Sequence, residues 1–287
     1  MFITLIDGLS LGAIYALIAL GYTMVYGIAK MLNFAHGDII MVGAYTIFVT
    51  LGVSGSALGM VLAVILPIII CCVLGITVER FAYRPLRGAS PLAVLITAIG
   101  VSYLLQGIAQ WAFDVDPRPV DFKIPGKVGQ INVYTIVTLV VAAVIMISLT
   151  LFVKKTKTGR AMVAVSEDRG AARLMGINVN FIIMITFAIG SALAACAGIF
   201  YLMQIPSVDP TLGSMPGIKA FTAAVIGGIG SIPGAMVGGI LLGIVENVCK
   251  SIPALQSYTA AIEFSLLIII LLIKPSGLLG KKRNEKV

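Results

Sequence analysis

Nine runs of apolar residues constrain what this 287-residue chain can fold into more than any other feature. They fall near residues 5–24, 34–51, 59–79, 92–113, 133–153, 179–204, 216–230, 234–250 and 258–274. A hydrocarbon core about 30 Å thick takes about 20 residues of helix to cross. In lipid every backbone polar group must find its partner inside the element itself. Composition agrees: 59% of residues are apolar and 11% are charged, against about 25% charged in soluble domains. So few charges cannot coat a water-facing surface, which excludes soluble, disordered and fibrous folds. The expected fold is an all-α polytopic membrane protein with eight to nine transmembrane helices, forming one membrane domain over residues 1–287. The count stays open because the 216–230 run is short and rich in glycine, either a half-span or a re-entrant helix. No stretch remains for a separate aqueous domain of about 50 residues, so a second activity such as ATP hydrolysis needs another chain. The first charge is Asp7 and no basic segment precedes the first run, so that run reads as a span, not a cleaved signal peptide.

The net charge of +8 is a topology signal. Arg80, Arg84 and Arg87 lie in one connection, and Lys154, Lys155, Lys157, Arg160, Arg169 and Arg173 in another. The tail holds Lys281, Lys282, Arg283 and Lys286, making 13 of the 20 basic residues in three segments. Basic connections stay cytoplasmic, so these three are expected inside, with the C-terminus. The segment 114–132 balances Asp114, Asp116 and Asp121 against Arg118, Lys123 and Lys127, and reads as external, as does 205–215. Charges confined to connections between spans point to a bilayer and not to nucleic acid.

The order of runs suggests an internal repeat. Residues 5–113 and 179–274 flank the span at 133–153, and each block opens with a long helix, a polar break and a glycine-rich shorter helix. Inverted repeats with broken or short helices are a transporter architecture, with the substrate path between the copies. The glycines at 227, 228, 230, 234, 238, 239 and 243 let helix backbones approach closely.

The connection 154–178 carries the clearest functional pattern. Ser166 is placed to cap a short helix over about 167–175, with Glu167 and Asp168 in its first turn. Ala171, Leu174 and Met175 form an apolar face, Ala172 lies between them, and Gly176 suits the C′ position. Nothing in the chain is evident to cover that face, and so short a helix is marginal alone. It is expected to dock into a groove of a partner.

Ala171-Ala172-x-x-x-Gly176 resembles the coupling loop of bacterial ABC-importer permeases, with Gly170 where that loop has glutamate. LNFAHGDIIMVGAY (32–45) and AVIGGIGSIPGAMVGGILLG (224–243) resemble stretches of branched-chain amino-acid permeases. With SEDRGAARLMGINV (166–179) the likeness spans nearly the whole chain, and the length is similar to the shorter, H-type subunit. The resemblance implies a bacterial inner-membrane complex. It would hold a heterodimer of permeases, two cytoplasmic ATPases that bind ATP and magnesium, and a periplasmic substrate-binding protein. It also implies coupling to the ATPase through Ser166, Glu167, Asp168, Ala171, Ala172, Leu174, Met175 and Gly176. ATP binding and hydrolysis would switch the permeases between outward and inward states, with no cofactor in this chain.

Polar residues within the apolar runs divide between structure and transport. Lys30, Asn33, His36 and Asp38 cluster between the first two spans. In the expected topology that is the cytoplasmic rim, where water reaches all four. Asn33 is placed to cap the next helix, and Asp38 suits its dipole. The alternative is a gate or substrate path formed by Asn33, His36 and Asp38 with the glycine-rich Gly227 and Gly228. Glu263, five residues into the last run, either pairs with a neighbouring helix or serves transport. Glu246 and Lys250 pair at i, i+4 spacing, marking the outer end of their span. Lys219 snorkels outward. Gln106 and Gln110 beside Trp111 suggest an interfacial belt.

Other chemistries lack their residues. Gly227–Ala235 has no following Gly-Lys-Ser/Thr for phosphate. Ser231 has only His36, at the far end of the chain, as a partner base. One histidine and four cysteines (71, 72, 196, 249) without ligand spacing give no metal site or disulfide framework. Besides the ATP-driven importer, an ion-coupled transporter using Glu263, Glu246 or Asp38 stays open, as do urea, amide or sugar permeases of related fold.

Overall fold

A computed structural model describes residues 2–53, 57–122 and 124–280. Lys123 and the basic tail with Lys281, Lys282, Arg283 and Lys286 lie outside them. The described residues form α1 (Phe2–Ala29), α2 (His36–Val53), α3 (Ala57–Val78), α4 (Pro91–Phe113), α5 (Val133–Lys155) and α6 (Lys157–Glu167). Then follow α7 (Arg169–Leu174), α8 (Val179–Gln204), α9 (Ser214–Gly227), α10 (Ile232–Ser251), α11 (Pro253–Gln256) and α12 (Thr259–Ile273). Seven of these are long and apolar enough to cross a membrane, the third continuing beyond α3 to Leu86, and α12 is a shorter apolar helix of 15 residues. The expected all-α polytopic membrane fold is therefore present. The doubtful run at 216–230 is α9, only 14 residues long.

α1 is the central post, buried along most of its length and packed against α8, α9, α10 and α5. It runs antiparallel to α10, Gly8 facing Ile244 and Gly12 facing Ile240. A Cβ on Gly12 would lie 2.7 Å from the Ile240 Cα, so only glycine permits this approach. α1 is also antiparallel to α8: Gln204 donates to Ser10 Oγ at 3.3 Å, while Gly21 lies opposite Gly190. The two blocks foreseen in the sequence thus open with long helices pointing in opposite directions. Each continues through a break into a shorter helix, α2 or α9.

Neither short helix starts at the end of the helix before it. The His36 ring rests on Gly21 and Tyr22, with ring centroids 4.7 Å apart from Tyr22. Gly21 lies eight residues before the end of α1, about 12 Å back along its axis. Residues 30–35 therefore fold back beside α1, and α2 begins inside the bundle. The turn is made at Lys30, with φ 53, whose N–H closes on Tyr26 O at 2.9 Å. Likewise, Gly213 at the start of α9 meets Gly37 and not the molecular surface. The hydrated-rim expectation for Asn33, His36 and Asp38 fails for this reason: all three are buried.

At one end β1 (Arg118–Pro119) pairs antiparallel with β4 (Ser207–Val208), joining the two segments read as external. A second small hairpin, β2 (Lys127–Val128) with β3 (Ile131–Asn132), sits in the same connection. At the opposite end Arg87 bonds both Glu79 and Asn180, tying the turn after α3 to the start of α8.

Candidate functional site

The two breaks converge. A Cβ on Gly213 would sit 2.5 Å from the Gly37 carbonyl carbon, and one on Gly217 would sit 3.0 Å from Gly37 Cα. Two helix N-termini, each carrying a partial positive charge, thus meet in the interior. Asp38 lies in the first turn of α2 and accepts from Gln106 Nε2 at 2.8 Å. The same amide reaches Ser102 and Ser214 Oγ at 3.3 and 3.4 Å. Gln106 is therefore an internal bridge between α4, α2 and α9, not part of an interfacial belt. Trp111, a turn further, is exposed. Asn33 Oδ1 accepts from the Tyr83 hydroxyl at 2.8 Å and does not cap α2.

A second buried cluster holds α9. Lys219 Nζ lies 2.8 Å from Glu246 Oε1 of α10 and 3.2 Å from Glu263 Oε2 of α12. The Tyr15 hydroxyl of α1 donates to Glu246 Oε2 at 2.7 Å. Lys250 approaches Glu246 from the same helix at 2.7 Å. Lys219 points inward, contrary to the snorkelling expectation, because two carboxylates await it there. Glu246 pairs with Lys250 at the expected spacing but is itself buried within the bundle. Tyr15 carried no sequence signal beyond its place in an apolar run.

Gly227 and Gly228 belong to neither cluster. They end α9, where Gly227 packs on Gly234 and Gly228 takes φ 107. Leu278 and Leu279 donate to Ile226 O and Gly227 O at 2.8 and 2.9 Å, binding the segment after α12 to this end.

The basic connection forms two helices where one was expected. Ser166 sits inside α6 and donates to Val163 O at 2.7 Å, and Glu167 ends that helix. The cap of α7 is Asp168, whose Oδ1 accepts from Gly170 and Ala171 N–H at 2.7 and 3.0 Å. The cap lies two residues later than Ser166 because a carboxylate at 168 satisfies two N–H groups at once. Gly176 takes the C′ place at φ 80: its N–H reaches Arg173 O and that of Ile177 reaches Ala172 O, both at 3.0 Å. Ala172 is buried, whereas Leu174 and Met175 are 91% and 82% exposed. Arg169 donates to Ala29 O at the end of α1, immediately before the first break. Burial lowers the Arg169 pKa, with Arg87 and Arg173 adding to the effect. Among the described residues no group of three or more His, Cys, Asp or Glu is placed to hold a metal ion.

Comparison with known proteins identifies the family. The profile described as branched-chain amino acid transport system / permease component matches residues 4–272. The high-affinity branched-chain amino acid transport system permease protein BraD of Pseudomonas aeruginosa is 44% identical, over 99% of this chain and 97% of its own. The corresponding protein LivH of Escherichia coli is 41% identical over 98% and 96%. The ribose import permease protein RbsC of Haemophilus influenzae is 29% identical over 80% and 66%. A match over nearly every span, together with the broken-helix bundle, shows that the chain belongs to the branched-chain amino acid transport permease family.

Proposed function

We propose that this chain is a membrane subunit of an ATP-driven importer of branched-chain amino acids, working beside a second permease and two ATPase subunits. The ATPases carry ATP and magnesium, and an external binding protein delivers the substrate. The observation that carries the reading is α7: a helix of six residues, capped at both ends, presenting Leu174 and Met175 to the surface. Apolar side chains on a short helix in a basic connection suit a groove on a soluble partner and do not suit lipid. The expected orientation places this connection and the C-terminus in the cytoplasm.

Arg169 would join this docking helix to the path. Its bond to Ala29 O links α7 to the end of α1, from which residues 30–35 lead to the junction at Gly37 and Gly213. A push on α7 would thereby reach both broken helices and alternate the access of the junction.

The test is co-purification of the ATPase with this chain, combined with uptake in vesicles. Leu174→Glu with Met175→Glu is expected to strip the ATPase from an otherwise intact permease and abolish uptake. Arg169→Gln is expected to retain the ATPase yet uncouple hydrolysis from uptake. Retained ATPase binding in the double variant would remove the docking reading. The buried Lys219–Glu246–Glu263 cluster favours a second reading, ion-coupled transport. That reading requires uptake to collapse when ion gradients are dissipated while ATP persists.

A further inference from the structure

α12 lies at the edge of the bundle, with Ile268, Ile269, Leu272 and Ile273 exposed, and packs on α9 and α10. From there it holds α9 near both ends. Toward the start of α9 its Glu263 carboxylate pairs with Lys219 at 3.2 Å. Gly227, the last residue of α9, lies eight residues further on, about 12 Å along the axis. There the backbone that follows α12 takes hold.

A helix leaves its last four carbonyls without partners of its own. In α9 those of Ala224 and Val225 receive the Gly228 N–H at 3.0 and 3.1 Å. Those of Ile226 and Gly227, both buried residues, receive the Leu278 and Leu279 N–H at 2.8 and 2.9 Å. A buried carbonyl left unpaired is costly, so α9 depends at this end on a segment far away in the chain. The fit is made between glycines. A Cβ on Gly277 would lie 2.5 Å from Gly228 Cα, and one on Gly228 would lie 2.5 Å from Gly280 N. Gly277 takes φ 75, and the turn out of α12 is closed by Gly277 N–H on Lys274 O at 2.9 Å and by Lys274 Nζ on Leu278 O at 2.8 Å. Leu278 is half-buried and Leu279 exposed, so lifting this strap breaks two hydrogen bonds and disturbs no fully buried side chain.

The strap also sits where force would act. Gly230, just beyond α9, meets Gly27 of α1, two residues before the Ala29 carbonyl that receives Arg169 of α7. The other end of α9 is the junction of Gly213 with Gly37. Any displacement of α9 at that junction therefore pulls on the strap.

We propose that residues 276–280 are a latch that restrains α9 in the resting importer and keeps ATP hydrolysis low until substrate arrives. The latch lifts when α9 moves and closes again on the Ile226 and Gly227 carbonyls. The inference rests on the importer reading above and adds to it an inbuilt restraint.

The test compares the full chain with chains ending at Gly280 and at Pro275, each in the assembled importer in proteoliposomes. ATP hydrolysis is measured with and without leucine and the binding protein, and hydrogen exchange is followed over residues 214–227. The chain ending at Gly280 is expected to match the full chain. In the chain ending at Pro275 the α9 amides are expected to exchange about tenfold faster, and substrate-free hydrolysis to rise about fivefold. Gly277→Val, strained at its positive φ and colliding with Gly228, should act in the same direction in a full-length chain. It decides alone if the shortened chain fails to assemble. Unchanged α9 exchange in an assembled variant overturns the proposal. Faster exchange with unchanged substrate-free hydrolysis reduces the strap to a helix cap and also overturns it, as does failure of both variants to assemble. A rise already present in the chain ending at Gly280 assigns the restraint elsewhere and overturns it too. If the full-chain complex takes up no aliphatic amino acid with ATP, the importer reading fails, and the exchange measurement judges the restraint on α9 separately.

Discussion

At the break before α2, the carboxylate that faces the helix N-terminus belongs to that helix: Asp38 in the first turn, held by Gln106 of α4. At the break before α9 the first turn has no acid, and a lysine follows at 219. A cation near the positive end of a helix dipole is unfavourable. The compensation must therefore come from elsewhere, and Glu246 and Glu263 supply it from α10 and α12. The first break is electrostatically self-contained, whereas the second is bound to three other helices through α1, α10 and α12. Two helix ends that touch at Gly37 and Gly213 thus differ in how far their charge compensation extends through the bundle. The charge at the start of α9 is compensated from two other helices, while the charge at the start of α2 is its own and is held by the Gln106 amide of α4.

The largest effect should come from removing the shared cation. Lys219→Met leaves two buried carboxylates, with only the half-exposed Lys250 against one of them. Breaking a buried pair costs about 3–5 kcal/mol, to be measured as unfolding in mild detergent. Adding Glu263→Gln to this variant should recover part of that loss, since it removes the charge left with no cation. If Lys219→Met were as stable as the natural chain, the claim that α9 depends on its neighbours would be falsified.

Next in size is the contact between the two breaks. Gly213→Ala places a methyl against the Gly37 carbonyl group and forces the two N-termini apart. Overpacking of this kind costs about 1–3 kcal/mol. Gly52, with nothing within 4 Å of its would-be Cβ, is the control, and Gly52→Ala should be neutral or slightly stabilising. Equal effects at the two glycines would mean that the junction is not a tight contact. Uptake assays on the same pair ask whether the junction also moves in transport.

Which parts of this were legible beforehand follows from the range of the forces involved. Helix positions came from local runs, and Gly176 from its place after an apolar face. Both depend on neighbours within a few residues. Ser166 and Asp168 are equally good caps by type, and only the actual hydrogen bonds separate them. Depth was not legible. A run of apolar residues reads as crossing the whole bilayer, which puts Asn33, His36 and Asp38 at a rim and Lys219 at a surface. Their burial follows from the fold-back at Lys30 and from the approach of Gly37 to Gly213, residues far apart in the chain. The partner of Lys219 was also invisible, because Glu246 and Glu263 are brought to it by packing and not by spacing.

The smallest expected effect tests the self-contained break. Asp38→Asn keeps an acceptor for Gln106 but removes the charge that faces the α2 N-terminus. Charge–dipole interactions of this sort contribute about 0.3–2 kcal/mol, so the loss should be well below that of Lys219→Met. The change should also stay local: combined with Lys219→Met, the two losses should add within about 0.5 kcal/mol, as for independent sites. A marked deviation from additivity would show that the charges at the two breaks communicate through the Gly37–Gly213 contact. The breaks would then act as one electrostatic unit, and the contrast drawn between them would have to be given up.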